Sequence, residues 1–335
     1  MRDSIVEELL VTARYNAKVD PSLAIWSWEI PVYLFLGGLT AGIMCFAAYA
    51  VLARKAADMP FTHDRFALWA PVVLSVGMTA LFLDLEHKLY VFRFYTSFEP
   101  ASPMSWGAWI LVLVYPLMVL QTLSTLRRGY PALAGWIEQL PFGSAALDQS
   151  ERFRTPVATL VIPLAAGLGI YTGVLLSAFS ARPFWNTGLL GPLFLVSGLS
   201  TAGALALIGA RLDCEKHFFT RTDITLIGIE LTLIALLIIN LATGAAQQQE
   251  AVHLILGGDY TVPFWLWFVL PGLLVPVVLE AFELRGICNF SLAASLLVLY
   301  GGFMLRYLTV ELGQVSTWTD YAIQFDPQLL LRLTN

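Results

Sequence analysis

Eight stretches of apolar, nearly uncharged residues dominate the 335-residue chain, near positions 30–53, 66–83, 106–126, 157–177, 189–210, 224–243, 263–283 and 291–311. A helix needs about 20 such residues to cross the hydrocarbon layer of a bilayer. Inside that layer every backbone N–H and C=O must be bonded within the protein. The pattern therefore predicts an all-α integral membrane protein with eight transmembrane helices. Composition agrees, with 58% hydrophobic and 13% charged residues and a mean hydropathy of +0.72, which excludes an ordinary water-soluble domain. Membrane lipid, and not nucleic acid, is the expected surrounding.

Lysine and arginine set the orientation. Eleven of them (Arg54, Lys55, Arg65, Arg127, Arg128, Arg152, Arg154, Arg211, Lys216, Arg221, Arg285) follow the odd-numbered runs, against three (Lys88, Arg93, Arg182) after runs two, four and six. Basic loops stay cytoplasmic, so both termini are expected on the periplasmic side of a bacterial inner membrane. Residues 1–19 are charged and polar without an apolar h-region, so the first run is expected to be retained and to direct insertion.

The expected organisation is a periplasmic arm (1–29), a first four-helix bundle (30–178), a connecting loop (179–188), a second four-helix bundle (189–311) and a periplasmic tail (312–335). The text Leu34-Phe35-Leu36-Gly37-Gly38-Leu39-Thr40-Ala41-Gly42 returns in altered form at Leu193-Phe194-Leu195-Val196-Ser197-Gly198-Leu199-Ser200-Thr201-Ala202-Gly203, which suggests a duplicated four-helix unit. Gly38 and Gly42, with Gly37 and Ala41 repeating the spacing, favour close helix packing. Gly129, Pro131, Pro141 and Gly143 make the 127–155 loop read as irregular. The polar 244–262 loop reads as a solvated segment or a docking site.

Haem, metal and iron–sulfur cofactors do not suit this chain. The four histidines fall in loops or at run ends on two different sides, which disfavours a bis-histidine haem, and Cys45, Cys214 and Cys288 form no cluster motif. What remains gathers at the outer end. Glu29, Asp84, Glu86 and His87 are titratable there, ringed by Trp26, Trp28, Tyr33, Tyr90 and Trp106, and Tyr171 falls at the same depth. A quinone site needs this mixture: apolar and aromatic walls for the ring and tail, a hydrogen-bond donor for a ring oxygen, and a carboxylate to exchange protons. Glu29, Asp84 and His87 are the candidate proton-handling residues. Tyr171, His87, Glu29, Trp28, Tyr33 and Trp106 are the candidate headgroup and wall residues.

A second set of ionisable residues sits inside the later runs. Glu230, Glu280 and Arg306 are candidates for a proton path, because charged groups within membrane helices are costly and mark function. Structural ion pairs or snorkelling account for Arg306, as for Glu283 and Glu311, and a carboxylate paired to a neighbouring hydroxyl would account for Glu230. The buried Glu230 also suggests an alternative class, a secondary transporter or proton-translocating protein.

The segment Trp26–Gly42, the Asp84-Leu85 pair, Ser102-Pro103-Met104-Ser105-Trp106-Gly107-Ala108-Trp109, Tyr171-Thr172-Gly173-Val174-Leu175-Leu176-Ser177 and Leu193–Leu205 together resemble the NrfD/PsrC family, the membrane subunits of polysulfide reductase and related complexes. The resemblance runs from about Trp26 to Arg211. It implies a quinone-reactive subunit, using menaquinone or ubiquinone, without haem or iron–sulfur cluster of its own. It also implies two partners, a periplasmic four-cluster ferredoxin-like iron–sulfur subunit and a molybdenum or tungsten bis-pyranopterin catalytic subunit. By position, Tyr171 matches a tyrosine that contacts the quinone headgroup, and Glu29 matches a polar residue, often histidine, in the first turn of helix one. Where many members read Asp-Leu-Gly-Arg-Pro, this chain reads Asp84-Leu85-Glu86-His87-Lys88. That departure leaves open which residue is the proton partner and in which direction electrons flow.

Overall fold

The chain's structure, a computed structural model, describes residues 26–286 and 290–316. The expected arm before residue 26, most of the expected tail and Cys288 lie outside the described residues. Among the described residues, eight helices long and apolar enough to span a bilayer follow in order: α1 Glu29–Leu52, α2 Phe66–Asp84, α3 Pro103–Gly129, α4 Arg154–Ser177, α5 Leu190–Gly209, α6 Asp213–Ala242, α7 Pro263–Leu284 and α8 Ser291–Val315. Among the described residues there is no strand. The chain is thus an all-helical, multi-pass membrane protein.

The ends of these helices follow local chemistry. Glu29 places a negative charge in the first turn of α1, where the partial positive end of the helix welcomes it, and Pro31 sits where its missing N–H costs nothing. Helix α3 begins with Pro103 for the same reason and carries Pro116 inside. The first part of α7, Pro263–Leu274, is wound as a π-helix containing Pro271, a loosened winding found mostly at functional positions.

Helices α1 and α5 are the hub. Helix α1 packs against α2, α4, α5 and α8, while α5 packs against α1, α4, α6 and α8. The two similar stretches noted in the sequence meet each other here. A Cβ placed on Gly42 would lie 2.4 Å from Gly198 O and from Ala202 Cβ, and one on Gly198 would lie 2.5 Å from Gly38 O. Only hydrogen fits at that crossing, so the small residues bring the two backbones into contact.

Three expectations about connections are corrected. Helix α6 starts at Asp213, about eleven residues before the apolar run, because hydrogen bonding propagates a helix through polar residues as well as apolar ones. Its first-turn Glu215 is fully buried and accepts hydrogen bonds from the Thr62 backbone N–H at 2.8 Å and hydroxyl at 2.6 Å, fastening α6 to the short helix Pro60–Asp64. The 127–155 loop is not irregular. It holds helices Pro131–Glu138 and Gly143–Arg152, since Pro131 starts a helix rather than breaking one. The 244–262 loop likewise holds a helix, Ala246–Leu256, whose first turn is closed by Gln248 accepting from the Ala245 N–H at 3.1 Å.

Candidate functional site at the tryptophan-bearing end

At the end of the molecule that carries Trp26 and Trp28, α1 starts, α2 stops, α3 starts and α4 stops. The four helix ends bring together residues far apart in sequence. Tyr33, one turn into α1, is 4% exposed and Tyr171, near the end of α4, is 8% exposed. Their phenols lie within electrostatic reach of each other, and Tyr33 is also within reach of Tyr95 and Tyr115. Neither the Tyr33 nor the Tyr171 hydroxyl makes a hydrogen bond to another described residue. Phenol hydroxyls in such surroundings ordinarily find a partner, and neither oxygen is sealed from outside, so both are free to donate to a ligand.

Tyr171 is seated on Gly107 of α3. A Cβ there would lie 1.9 Å from Tyr171 Cζ and 2.0 Å from its hydroxyl oxygen. The glycine of the Ser-Pro-Met-Ser-Trp-Gly-Ala-Trp stretch therefore has a stated purpose, which is to let the phenol lie against the α3 backbone. One α1 turn before Tyr33, the Glu29 carboxylate is a near neighbour of Asp84 at the end of α2. Glu29 Oε2 is buried and meets no donor among the described residues. Two carboxyl groups and two phenols therefore converge, with acceptor and donor capacity left over.

Not every candidate residue joins them. His87 lies in the 85–102 connection, which folds into two helical turns, Lys88–Tyr90 and Arg93–Thr96. There it lines a cavity of about 540 Å³ together with Glu86, Tyr90, Arg93, Glu99 and Ser105, among others. Its ring stands edge-on to Tyr90 at 6.4 Å, and the Arg93 guanidinium lies 4.6 Å from the Tyr90 ring centroid. None of Glu29, Asp84, Tyr33 or Tyr171 lines this cavity. The two regions are neighbours through α3, because Ser105 on the cavity wall is two residues from Gly107. Trp28 and Trp106 are half exposed. The Trp106 indole N–H donates to Pro100 O at 2.9 Å, and its ring packs edge-on to Phe98 at 5.1 Å. Both tryptophans occupy positions suited to the interfacial belt. Trp26 instead stacks on Trp185 at 5.1 Å, and its backbone exchanges hydrogen bonds with the Gln314 side chain on α8.

Tyr95 and Tyr115 lie within reach of Tyr33 and were not singled out from the sequence, while Gly107 was read only as part of a motif. Tyr95 lies in a loop turn, where burial and then Tyr115 push its phenol above the ordinary range. It therefore stays protonated and able to donate.

The candidate proton-path residues lie away from these, among α5, α6, α7 and α8. Glu230, Glu280 and Arg306 are all buried. A third buried acid of this region, Asp223, was not singled out from the sequence and stands beside Glu280.

The model of the family described as "Polysulphide reductase, NrfD" matches residues 17–317. The chain is 30% identical over 309 residues to Protein NrfD of Escherichia coli, covering 87% of this chain and 96% of that one. It is 28% identical over 308 residues to the Protein NrfD homolog of Haemophilus influenzae, covering 87% and 95%. It is also 28% identical over 305 residues to the C subunit of polysulfide reductase from Wolinella succinogenes, covering 87% and 94%.

Proposed function

Since this chain belongs to the polysulphide reductase NrfD family, we propose that it is the membrane subunit of a respiratory oxidoreductase and that it exchanges electrons between a periplasmic iron–sulfur partner and the quinone pool. The chain has no redox group of its own in this reading. It supplies the place where a lipid-soluble carrier meets the electron route, and a separate subunit carries out the substrate chemistry. The terminal reductase would hold the bis-pyranopterin metal centre, with the four-cluster iron–sulfur protein between the two.

The observation that carries the reading is the pair of buried, unengaged phenols, Tyr33 and Tyr171, beside the Glu29–Asp84 carboxyl pair at the ends of apolar helices. A quinone, menaquinone or ubiquinone, carries two electrons and two protons between its oxidised and quinol forms. Its ring oxygens accept hydrogen bonds when oxidised, which the phenols can donate. Its hydroxyls must lose or gain protons, which Glu29 and Asp84 can take or give. Apolar helix faces suit the isoprenoid tail. The exposed His87, in the adjoining loop cavity, is assigned to proton exchange with the outer water rather than to the headgroup. Family membership favours this reading over a free-standing secondary transporter, whose substrate site would lie at broken helices near the midplane.

The test uses the purified complex. Tyr171→Phe and Glu29→Gln keep shape while removing a donor and a charge. Both are expected to lower quinone-linked electron transfer by at least about tenfold, below the usual rate contribution of one positioned proton-transfer group, with the partner subunits still bound. Wild-type quinone-linked rates in both variants would overturn the assignment.

A further inference from the structure

The later helices contain a line of polar side chains that the quinone site does not use. Arg306 on α8 is fully buried. Its Nη1 donates to Ser197 Oγ at 2.5 Å and to Gly302 O at 2.9 Å, and its Nη2 donates to Phe194 O at 2.8 Å. Glu230 on α6 is 2% exposed, shares the Ser197 hydroxyl and lies in the field of Arg306. Two helical turns away along α6, Asp223 accepts the Ser200 hydroxyl at 2.5 Å and faces Glu280 of α7. Ser197 and Ser200, one turn apart on α5, line the interval between the two α6 acids. One turn along α7 from Glu280, Glu283 accepts the hydroxyl of Ser291 at the start of α8. The line therefore runs from the end of α7, beside Arg285, to the interior of the bundle.

The charges along it do not balance. Arg306 is the cation, and it faces Glu230. Among the described residues nothing positive faces Asp223 or Glu280, both of which are fully buried. With both groups ionised, Asp223 Oδ2 and the two Glu280 oxygens meet no donor among the described residues. An uncompensated ion in such surroundings costs several kcal/mol. The two carboxyl groups become partners instead of rivals when one oxygen carries a hydrogen, since a protonated carboxyl donates and an ionised one accepts. Ser200 holds the other Asp223 oxygen, so the pair is oriented. This explains why two acids are found together where one would already be expensive.

We infer that Asp223 and Glu280 form a carboxyl pair sharing one proton, and that this pair relays protons between the arginine-rich face and the centre of the membrane. In one passage the O–H bond on the pair breaks, and the proton moves along the Ser200 and Ser197 hydroxyls, each taking one hydrogen as it gives one up. An O–H bond forms on ionised Glu230, which then releases that proton toward the phenol site and is ionised again. A proton arriving past Glu283 then restores the O–H bond at Glu280. Each transfer breaks one O–H bond and makes one, so the pair ends with the proton and the charge it began with. Glu230 is held ready by Ser197 and Arg306, whose fixed positive charge at the far end discourages other cations from following. Arg306 Nη2 would lie 2.9 Å from a Cβ on Gly38. Gly38 is five residues along α1 from Tyr33, about 7.5 Å of helix axis. The relay thus ends close beneath the phenol site. The inference rests on the quinone reading only for the reaction that supplies or consumes the proton.

The whole complex, reconstituted in vesicles with a pH-sensitive dye trapped inside, tests this. Quinone-linked turnover is followed together with the pH change on the arginine-rich side. Asp223→Asn and Glu280→Gln are each expected to lower the proton change on that side per electron transferred by at least about fivefold. Tyr171→Phe is expected to slow electrons and protons together and leave their ratio intact. Unchanged ratios in both carboxyl variants would overturn the relay. A loss of ratio in those variants with a normal rate in Tyr171→Phe would uphold the relay and fault the quinone site. Should either variant fail to assemble, infrared spectroscopy of the wild-type complex decides. A protonated-carboxyl stretch that persists at pH values where ordinary side-chain carboxyls are ionised supports the pair, and absence of that band refutes it.

Discussion

Replacing Gly107 by alanine asks whether the seat of Tyr171 matters, because the substitution adds one methyl group to α3 and touches no ionisable residue. That methyl would lie 1.9 Å from Tyr171 Cζ, whereas ordinary contact begins near 3.4 Å. The phenol must therefore withdraw by about 1.5 Å, or α3 must move by the same amount. Overfilling a packed site of this kind costs about 1–3 kcal/mol, too little to unfold an eight-helix protein. Misplacing a positioned group by about 1 Å can cost ~100-fold in rate. The expected result is a loss of at least ~10-fold in quinone-linked turnover, with partner binding retained and the melting temperature lowered by a few degrees. Gly135→Ala is the matched control, since a Cβ there meets nothing within 4 Å, and it should behave as wild type. The assay is steady-state electron transfer with a soluble quinol by the detergent-purified complex, beside thermal unfolding of the same sample. A Gly107→Ala complex with wild-type turnover would refute the claim that the Tyr171 position is set by α3 and used in the reaction.

Arg306→Met should destabilise the protein by about 3–5 kcal/mol, because it leaves Glu230 as an unpaired buried charge. Adding Glu230→Gln should recover a large part of the loss, and thermal unfolding of the two variants in detergent checks this. At the arginine-rich face, His63 Nδ1 lies 2.7 Å from Asp64 Oδ1, and Arg154 approaches the same oxygen at 3.8 Å. Burial works against the Asp64 charge, but the His63 hydrogen bond and the charges of His63, Arg154 and Arg128 outweigh it and hold the carboxyl below its ordinary range. Because the folded value is depressed, the stabilisation is fully present above the unfolded value near pH 4 and fades as pH falls below it. Asp64→Asn should therefore lower the melting temperature at neutral pH, with the difference from wild type closing as the pH drops toward 3. A difference that is constant with pH would contradict this.

The eight spans were legible because hydrophobicity over 20 residues is a signal the bilayer itself demands. The gathering of functional groups at one end was also readable, since Glu29, Asp84 and Tyr171 all sit at run boundaries on the same side. What could not be read was the partnership between them. Glu29 and Asp84 are 55 positions apart, and only the crossing of α1 and α2 makes them neighbours. His87 lies three residues from Asp84, yet it lines a loop cavity that Asp84 does not. Helical continuation through polar sequence hid the true start of α6, and with it Asp223, which stood just before the apolar run. A signal was present there. Asp223 and Glu230 are seven apart and so share a helix face, and the serines of the α5 stretch offer them hydroxyls. Gly107 was visible as part of a motif, but its purpose needed the α4 phenol laid against it. The similar stretches in α1 and α5 were visible as a repeat, and their contact through Gly38, Gly42, Gly198 and Ala202 gives the repeat a packing meaning.

The most direct test of the central claim is to photolabel the assembled complex with a light-activated quinone analogue and identify the labelled peptides by mass spectrometry. The account predicts label on the start of α1 around Glu29 and Tyr33, on the end of α4 around Tyr171, and on the start of α3 around Gly107, with competition by unmodified quinone. Label confined to the His87 cavity loop, or to helices α6–α8, would contradict it.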